Sequence, residues 1–324
     1  MIVSLTPNPS LDRTIELAAP LARGEVQRAI AAHQEPGGKG VNIARTLSAS
    51  GVDCLALLPG DRDDAVLVAL RAQGIPHLGL PIGAPLRSNV AITEADGVTT
   101  KVNEPGPVLD QVQQRALMQL AIEKSDGASW LVLAGSLPPG VGADFYARLT
   151  AELRARYGTA APKVAIDSSG EPLAAVLAAP EAGLPDLLKP NAEELAELTG
   201  VSDAASLESD PQLAAAAAQT LVDAGVGAVL ATLGSRGAVL VTAQGSWFAS
   251  GPKIEAKSTV GAGDSALAGY LLSETAGAPG PERLQQAVAH GAAAASLPGS
   301  TVPARSQTNP RAVTVTALAD AKEY

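Results

Sequence analysis

Short β-branched and aliphatic runs alternate with Ala- and Leu-rich stretches along almost the whole of this 324-residue chain. Strands separated by helices pair most simply in parallel, so the alternation dictates an α/β fold: a mostly parallel central sheet covered by helices on both faces. Strands are expected at Ile2–Thr6, Cys54–Leu58, Trp130–Ala134, Val164–Asp167, Asp186–Leu188 and Ala228–Thr232. Helices are expected at Val41–Ser50, Asp63–Gln73, Asp110–Lys124, Ala143–Arg156, Ala192–Leu198, Gln212–Ala224, Gly263–Glu274 and Glu282–Leu297. The runs Ala214–Ala218 and Ala292–Ala295 fall inside helical periods, and Ala is the best helix former, so they read as tightly packed helices and not as linkers. No repeat or long linker interrupts the pattern, which predicts one domain over residues 1–324. Hydrophobic residues make up 46%, but there are only four Tyr, two Phe and two Trp, so Ala, Val, Leu and Ile must build the core.

Two segments break the rhythm. Leu11–His33 and Arg87–Val102 alternate β-branched with polar residues, and Asp96-Gly97 is a hairpin signal between Val90–Thr93 and Val98–Thr100. They are expected to form a small antiparallel sheet outside the main one. Each lies beside the end of a core βα unit, so together they are placed as a lid over the carboxyl edge of the sheet, where open α/β folds bind ligands. Such an exposed sheet is also where two copies would pair in a homodimer. A further pairing, Ala238–Thr242 with Trp247–Ala249 around Gln244-Gly245, reads as an edge hairpin of the main sheet.

Charge and cysteine content exclude several function classes. Against 33 acidic residues stand 23 basic ones, a net charge of −10, and no Lys/Arg tract interleaves with aromatics, so nucleic acid is not an expected partner. Small anions need only local basic residues. The single cysteine, Cys54, rules out an intrachain disulfide framework and a cysteine-based zinc cluster. It begins an apolar strand and reads as core packing. No apolar run reaches the ~18 residues of a membrane span, and the N-terminal stretch lacks the basic start and apolar run of a signal peptide, so a cytoplasmic protein is expected. His33, His77 and His290 show no metal-ligand spacing.

The strongest local signal is Ser258-Thr259-Val260-Gly261-Ala262-Gly263-Asp264-Ser265, directly followed by an apolar helical run. Small residues before a helix leave backbone N–H groups free to converge on an anion, and the helix dipole favours negative charge there. The same residues also suit a plain glycine turn capped by Asp264. Gly261, Gly263 and Ala266 match the G-x-G-x-x-A dinucleotide fingerprint, but the polar segment Lys253–Lys257 before them is no buried strand, and no strand ending in an acid follows the helix. A dinucleotide site is therefore rejected. A Walker A loop also fails, because Gly37-Gly38-Lys39-Gly40 is followed by Val41 and not by Ser or Thr. That second glycine segment, running to Asn42 and Ala44, also opens a helix. It suits close backbone approach by a ligand, with Lys39 for charge and Asn42 as donor and acceptor, or simply a helix-start turn with a solvated lysine.

Taken together, Gly-Gly-Lys-Gly-Val-Asn near the start and Thr-Val-Gly-Ala-Gly-Asp near the end resemble the two signatures of the PfkB (ribokinase-like) carbohydrate kinases. Between them, in the family's order, lie Gly135-Ser136-Leu137-Pro138-Pro139-Gly140, Lys189-Pro190-Asn191-Ala192-Glu193-Glu194 and Thr232-Leu233-Gly234-Ser235-Arg236-Gly237. The resemblance implies a ribokinase-like three-layer sandwich with a small β-sheet lid, and transfer of the γ-phosphoryl of ATP to a sugar. Thr6-Pro7-Asn8-Pro9-Ser10-Leu11-Asp12 and the run Thr100 to Pro107 are most similar to the subgroup acting on fructose 1-phosphate or tagatose 6-phosphate. The minor bacterial 6-phosphofructokinases share Asp167-Ser168-Ser169-Gly170-Glu171 but typically lack a lysine at the Lys39 position. A sugar-phosphate sensor that has lost turnover is the alternative from another class.

By this resemblance, Gly261, Ala262, Gly263 and Asp264 form the anion hole, with Asp264 as catalytic base. Asn191 and Glu194 help hold Mg²⁺. Lys189, Asn191, Thr232 and Gly234 serve the ATP site. Asp12, Gly38, Asn42 and Ser136 serve the sugar, and its phosphate meets Arg87 and Lys39, with Lys101 and Arg28 as further cations. For Lys101 and Arg28 ordinary surface charge is an equal reading, and Glu193 and Glu197 read as a solvated helix face.

Overall fold

A computed structural model describes residues 1–318. The first half of the chain contains β1 (Ile2–Leu5), β2 (Ser10–Leu17), β3 (Ala29–Gly37), α1 (Lys39–Ala49), β4 (Cys54–Pro59), α2 (Ala65–Ala72) and β5 (His77–Leu80). Next come β6 (Arg87–Thr93), β7 (Thr99–Asn103), α3 (Gln111–Lys124), β8 (Trp130–Ala134), α4 (Phe145–Tyr157) and β9 (Lys163–Asp167). They are followed by α5 (Glu171–Leu177), β10 (Leu187–Leu188), α6 (Ala192–Thr199), α7 (Ala204–Ser209), α8 (Pro211–Asp223) and β11 (Ala228–Thr232). The last elements are β12 (Ala238–Thr242), β13 (Gly245–Ser250), α9 (Ala262–Thr275), α10 (Gly280–Ala295) and β14 (Thr314–Ala317).

Ten strands form the main sheet in the order β14-β13-β12-β11-β10-β9-β8-β1-β4-β5. From β11 to β5 every neighbouring pair is parallel, and β12, β13 and β14 continue the sheet antiparallel. The expected hairpin β12–β13 is present but is not the edge, because β14 adds outside it. The strands are hydrophobic on both faces, as buried parallel strands must be. Val3, Leu131, Leu133, Val164 and Ile166 pack under α3 to α8, while Ile2, Val132, Ala165 and Leu230 pack under α1, α2, α9 and α10. This is the three-layer α/β arrangement.

The remaining strands make a second sheet in the order β3-β2-β6-β7. It is not wholly antiparallel as expected, since β2 and β6 pair in parallel. The reason lies in the main sheet: β1 and β5 run the same way there, and each is followed within a few residues by the strand that leaves for the small sheet. β3 runs straight into α1, so the small sheet joins the helical layer of the main sheet at Gly37–Lys39.

Helices α9 and α10 pack most closely at Gly269. A Cβ there would stand 2.6 Å from the Gln286 carbonyl oxygen and 2.8 Å from His290 Nδ1. Alanine is the better helix former, but overpacking against backbone outweighs that preference. Gly269→Ala should therefore destabilise the protein by about 1–3 kcal/mol in denaturant unfolding. Unchanged or increased stability would show that the two helices separate freely.

Candidate active site

The carboxyl ends of β1, β8, β9, β10 and β11 open on one side of the main sheet, and polar residues collect there. At their centre is Asp167, the last residue of β9, with no exposed surface. Its Oδ1 accepts a hydrogen bond from Lys39 Nζ at 2.6 Å, and its Oδ2 lies 3.0 Å from Lys189 Nζ. Lys39 starts α1 because Gly38, with φ of 104°, turns the chain out of β3 at a place where any Cβ would strike Thr6. Lys189 follows β10 and is itself buried. Burial alone would raise the Asp167 pKa, but Lys189 and Lys39 overcome it and hold the carboxyl below its usual range. Burial alone would lower that of Lys39, but Asp167 and Glu194, whose Oε1 is 3.9 Å away, push it up instead.

Asp264 stands in the first turn of α9. Gly261 caps that helix in the left-handed region, φ 74°, and the first bond of the helix runs from Ser265 N–H to the Gly261 oxygen at 2.8 Å. The N–H groups of Gly263 and Asp264 lie ahead of that bond and are left without intrahelical acceptors. A Cβ on Gly263 would come 3.3 Å from Lys189 Nζ, so a lysine stands against the loop. Asn42 Nδ2 donates to Asp264 Oδ2 at 2.9 Å. Burial pushes the Asp264 pKa up to about 6, and the Asp167 charge adds to the rise, against the pull of Lys39, the Asn42 amide and Lys189. The helix dipole alone would have made this carboxyl a weak base. Burial beside a second carboxylate reverses that expectation.

On one flank, Asn191 caps α6 in a reciprocal box: its N–H donates to Glu194 Oε2 at 2.9 Å, and Asn191 Oδ1 accepts from Glu194 N–H at 2.8 Å. Asn191 bridges to Thr232 at the end of β11, and Gly234 follows in an exposed turn. Asn191 and Glu194 offer only oxygen donors, which suits Mg²⁺, a cation that keeps waters and phosphate oxygens as ligands. Among the described residues no three His, Cys, Asp or Glu side chains form a metal cluster.

On the other flank, register places Ser10 and Asp12 beside Arg87 and Asn89. Asp12 Oδ1 accepts from Ser10 Oγ at 2.7 Å and from Asn89 Nδ2 at 3.0 Å, and burial raises its pKa. Arg87 donates to the Asn8 and Glu104 carbonyl oxygens at 3.0 and 3.1 Å, and its Nε is buried without a partner. Asn8 Nδ2 donates to Ser136 Oγ at 3.3 Å. This face of the small sheet lines a cleft of about 540 Å³, whose other wall is residues 256–260 and 298–300.

Most of the expected residues are thus gathered, with two differences, at Lys39 and Arg28. Lys39 is turned toward Asp167 and Glu194 and not toward the small sheet that carries Arg87. Lys101, exposed and opposite Ala91, lines the same cleft as Asp12 and Asn89. Arg28 is exposed on the segment before β3 and has no side-chain partner among the described residues. Three residues that sequence reasoning did not place in the site are Asp167, Asn8 and Asn89. Asp167 had two signals, an acid ending a buried strand and its place at the head of Asp167-Ser168-Ser169-Gly170-Glu171, but nothing local reveals that two lysines converge on it.

The family description that matches is pfkB family carbohydrate kinase, over residues 6–307. The chain is 35% identical to a 1-phosphofructokinase of Xanthomonas campestris pv. campestris, over 84% of this chain and 83% of that protein. It is 33% identical to an ATP-dependent 6-phosphofructokinase isozyme 2 of Mycobacterium tuberculosis, over 92% and 85%. Its fold superposes on phosphofructokinase-2 of Escherichia coli, crystallised with substrates and products, with a TM-score of 0.84 at 30% identity, covering 94% and 96% of the two chains. A lysine-bridged carboxylate below a glycine-capped helix, with a polar sheet facing it, thus belongs to a chain that is a member of the pfkB family of carbohydrate kinases.

Proposed function

We propose that this kinase transfers the γ-phosphoryl of ATP to the 6-hydroxyl of fructose 1-phosphate, giving fructose 1,6-bisphosphate. The observation that carries the chemistry is a buried carboxyl, Asp264, at the mouth of an anion-binding helix start with Lys189 and Lys39 close by. The acceptor oxygen bonds to the γ-phosphorus while the bond from phosphorus to the leaving oxygen of ADP breaks, and the hydroxyl proton passes to Asp264. Such transfers have loose transition states, so positioning and charge stabilisation dominate. The free N–H groups of Gly263 and Asp264 at the start of α9 receive the transferring phosphoryl. Lys189, Asn191, Thr232 and Gly234 serve the nucleotide. Asn191 and Glu194 would hold Mg²⁺, which when bound would supply charge neutralisation on the donor phosphates.

Asp12, Asn42, Gly38 and Ser136 position the sugar hydroxyls, and Arg87 anchors the acceptor's own phosphate. Lys39, fixed by Asp167, stands between acceptor and donor, with Lys101 and Arg28 at the margin. The small sheet serves as a cover and as a homodimer surface, and these substrates fit a cytoplasmic enzyme. The acceptor assignment leans on relatives carrying the name 1-phosphofructokinase. Fructose 6-phosphate is the second reading, favoured by the relatives and structures named for that activity. Neither reading is compatible with a turnover-free sensor.

Fructose 1-phosphate should exceed free fructose in kcat/KM, because Arg87 gives the phosphate dianion a charge-assisted partner. Equal values for the two would remove the phosphate anchor. Arg87→Ala should raise KM for the sugar phosphate about 10- to 150-fold, the loss of one charged hydrogen bond, and leave KM for ATP nearly unchanged. A larger effect on ATP would move Arg87 to the wrong flank.

Asp264→Asn keeps size and helix capping but cannot accept a proton, so kcat should fall about 10²- to 10⁴-fold while ATP affinity holds. Survival of kcat within a few-fold would leave Asp264 as a cap only. The base form requires ionisation, and with a pKa raised to about 6 it is lost as pH falls below that value. Activity on free fructose, which has no phosphate to titrate, should therefore show an acid limb near pH 6. A limb near pH 4 would mean that an ordinary, unshifted carboxylate takes the proton.

A further inference from the structure

Arg45 is buried in α1 yet belongs to none of the motifs that carry the chemistry. Its guanidinium gathers four parts of the chain. One nitrogen, Nη2, donates to Glu35 Oε2 at 2.5 Å at the end of β3, and Nε donates to Gln73 Oε1 at 3.1 Å after α2. The other terminal nitrogen, Nη1, donates to the Pro36 oxygen at 3.2 Å, the Ser300 oxygen at 3.1 Å and Asn42 Oδ1 at 3.4 Å. The last contact fixes the sense of an amide. With its oxygen turned to a guanidinium, which can only donate, Asn42 must present its NH₂ group to Asp264. That donation is the 2.9 Å bond to Asp264 Oδ2.

We propose that Arg45 is a positioning residue for phosphoryl transfer: it locks the Asn42 amide in the orientation that donates to Asp264. Without it the amide is free to turn over, putting its oxygen against the carboxyl. The turned amide favours protonated Asp264, which can donate to that oxygen, over the ionised form, which is repelled by it. The other groups facing Asp264 are Asp167 from β9, Lys39 from α1 and Lys189 after β10, and those facing Arg45 are Glu35 and Asp12. Arg45 thereby ties proton acceptance to the junction of the small sheet with α1, since Glu35 and Pro36 directly precede Gly37 and Gly38. The idea rests on Asp264 as base only for its kinetic consequence, and not for its effect on the Asp264 proton.

The test uses the full-length protein with ¹³C-labelled aspartate carboxyls, Asp264 being assigned by the signal missing in Asp264→Asn. Arg45→Gln should raise the Asp264 titration midpoint by about 0.5–1 pH unit, the size of one neutral hydrogen bond, and Arg45→Lys should raise it less. In the same variants kcat should fall roughly two- to fivefold at pH 6 and little above pH 8, with KM for ATP unchanged. An unmoved midpoint in either folded variant overturns the proposal, as does a loss of kcat equal at all pH values, which marks a purely structural residue. Failure of both variants to fold would likewise assign Arg45 to the fold alone. If the midpoint moves but kcat does not follow it, Arg45 orients Asn42 as proposed and Asp264 is not the base.

Discussion

Everything at the open end of the main sheet is arranged around one carboxylate, Asp167, that is wholly buried and faces two lysines at once. A carboxylate in such a place survives only if its charge is matched, and removing one partner of a buried pair typically costs about 3–5 kcal/mol. The match brings Lys39 from the first turn of α1 and Lys189 from the end of β10 to the same point. By claiming both lysines, Asp167 leaves Asp264 with a neutral amide as its hydrogen-bond partner. The raised proton affinity of Asp264 follows from that division as well as from burial. The cluster also keeps cations beside the glycine loop of α9, where phosphate charge must be received.

The fold was largely legible because hydrophobic runs and helical periods are local. Trp130–Ala134 and Ala228–Thr232 form as expected, since each is a short apolar run buried on both faces. Four elements escaped for physical reasons. The helices Glu171–Leu177 and Ala204–Ser209 are too short to show a period. The strand His77–Leu80 carries Gly79, and Thr314–Ala317 is an edge strand whose pairing comes entirely from β13. The parallel pairing of β2 with β6 depends on the direction of β1 and β5 in the other sheet, which no hairpin signal records.

The site divides in the same way. The glycine-rich starts of α1 and α9 are contiguous in sequence and were readable as anion-binding or capping segments, whereas Asn191 and Glu194 were marked only by the family resemblance and their capping box emerged from the structure. The contacts between them were not. Lys39 and Asp167 are 128 positions apart, Asn42 and Asp264 are 222 apart, and Arg45 and Ser300 are 255 apart. Such pairs exist only because β1, β8 and β9 lie side by side and α1 packs on α9. Lys39 illustrates the limit: its charge suggested a partner for the sugar phosphate, whereas the topology sets a buried carboxylate within 2.6 Å of it.

The central question is whether Asp167 adds to the proton affinity that burial gives Asp264. The direct measurement is the titration of the Asp264 carboxyl, followed by ¹³C NMR, in the unaltered protein and in Asp167→Asn. The account predicts a midpoint near 6 in the first and a lower one in the second, because a like charge is removed and Lys39 and Lys189 are released toward Asp264. A midpoint already near the ordinary aspartate value, or one that stays or rises when Asp167 is neutralised, would contradict it.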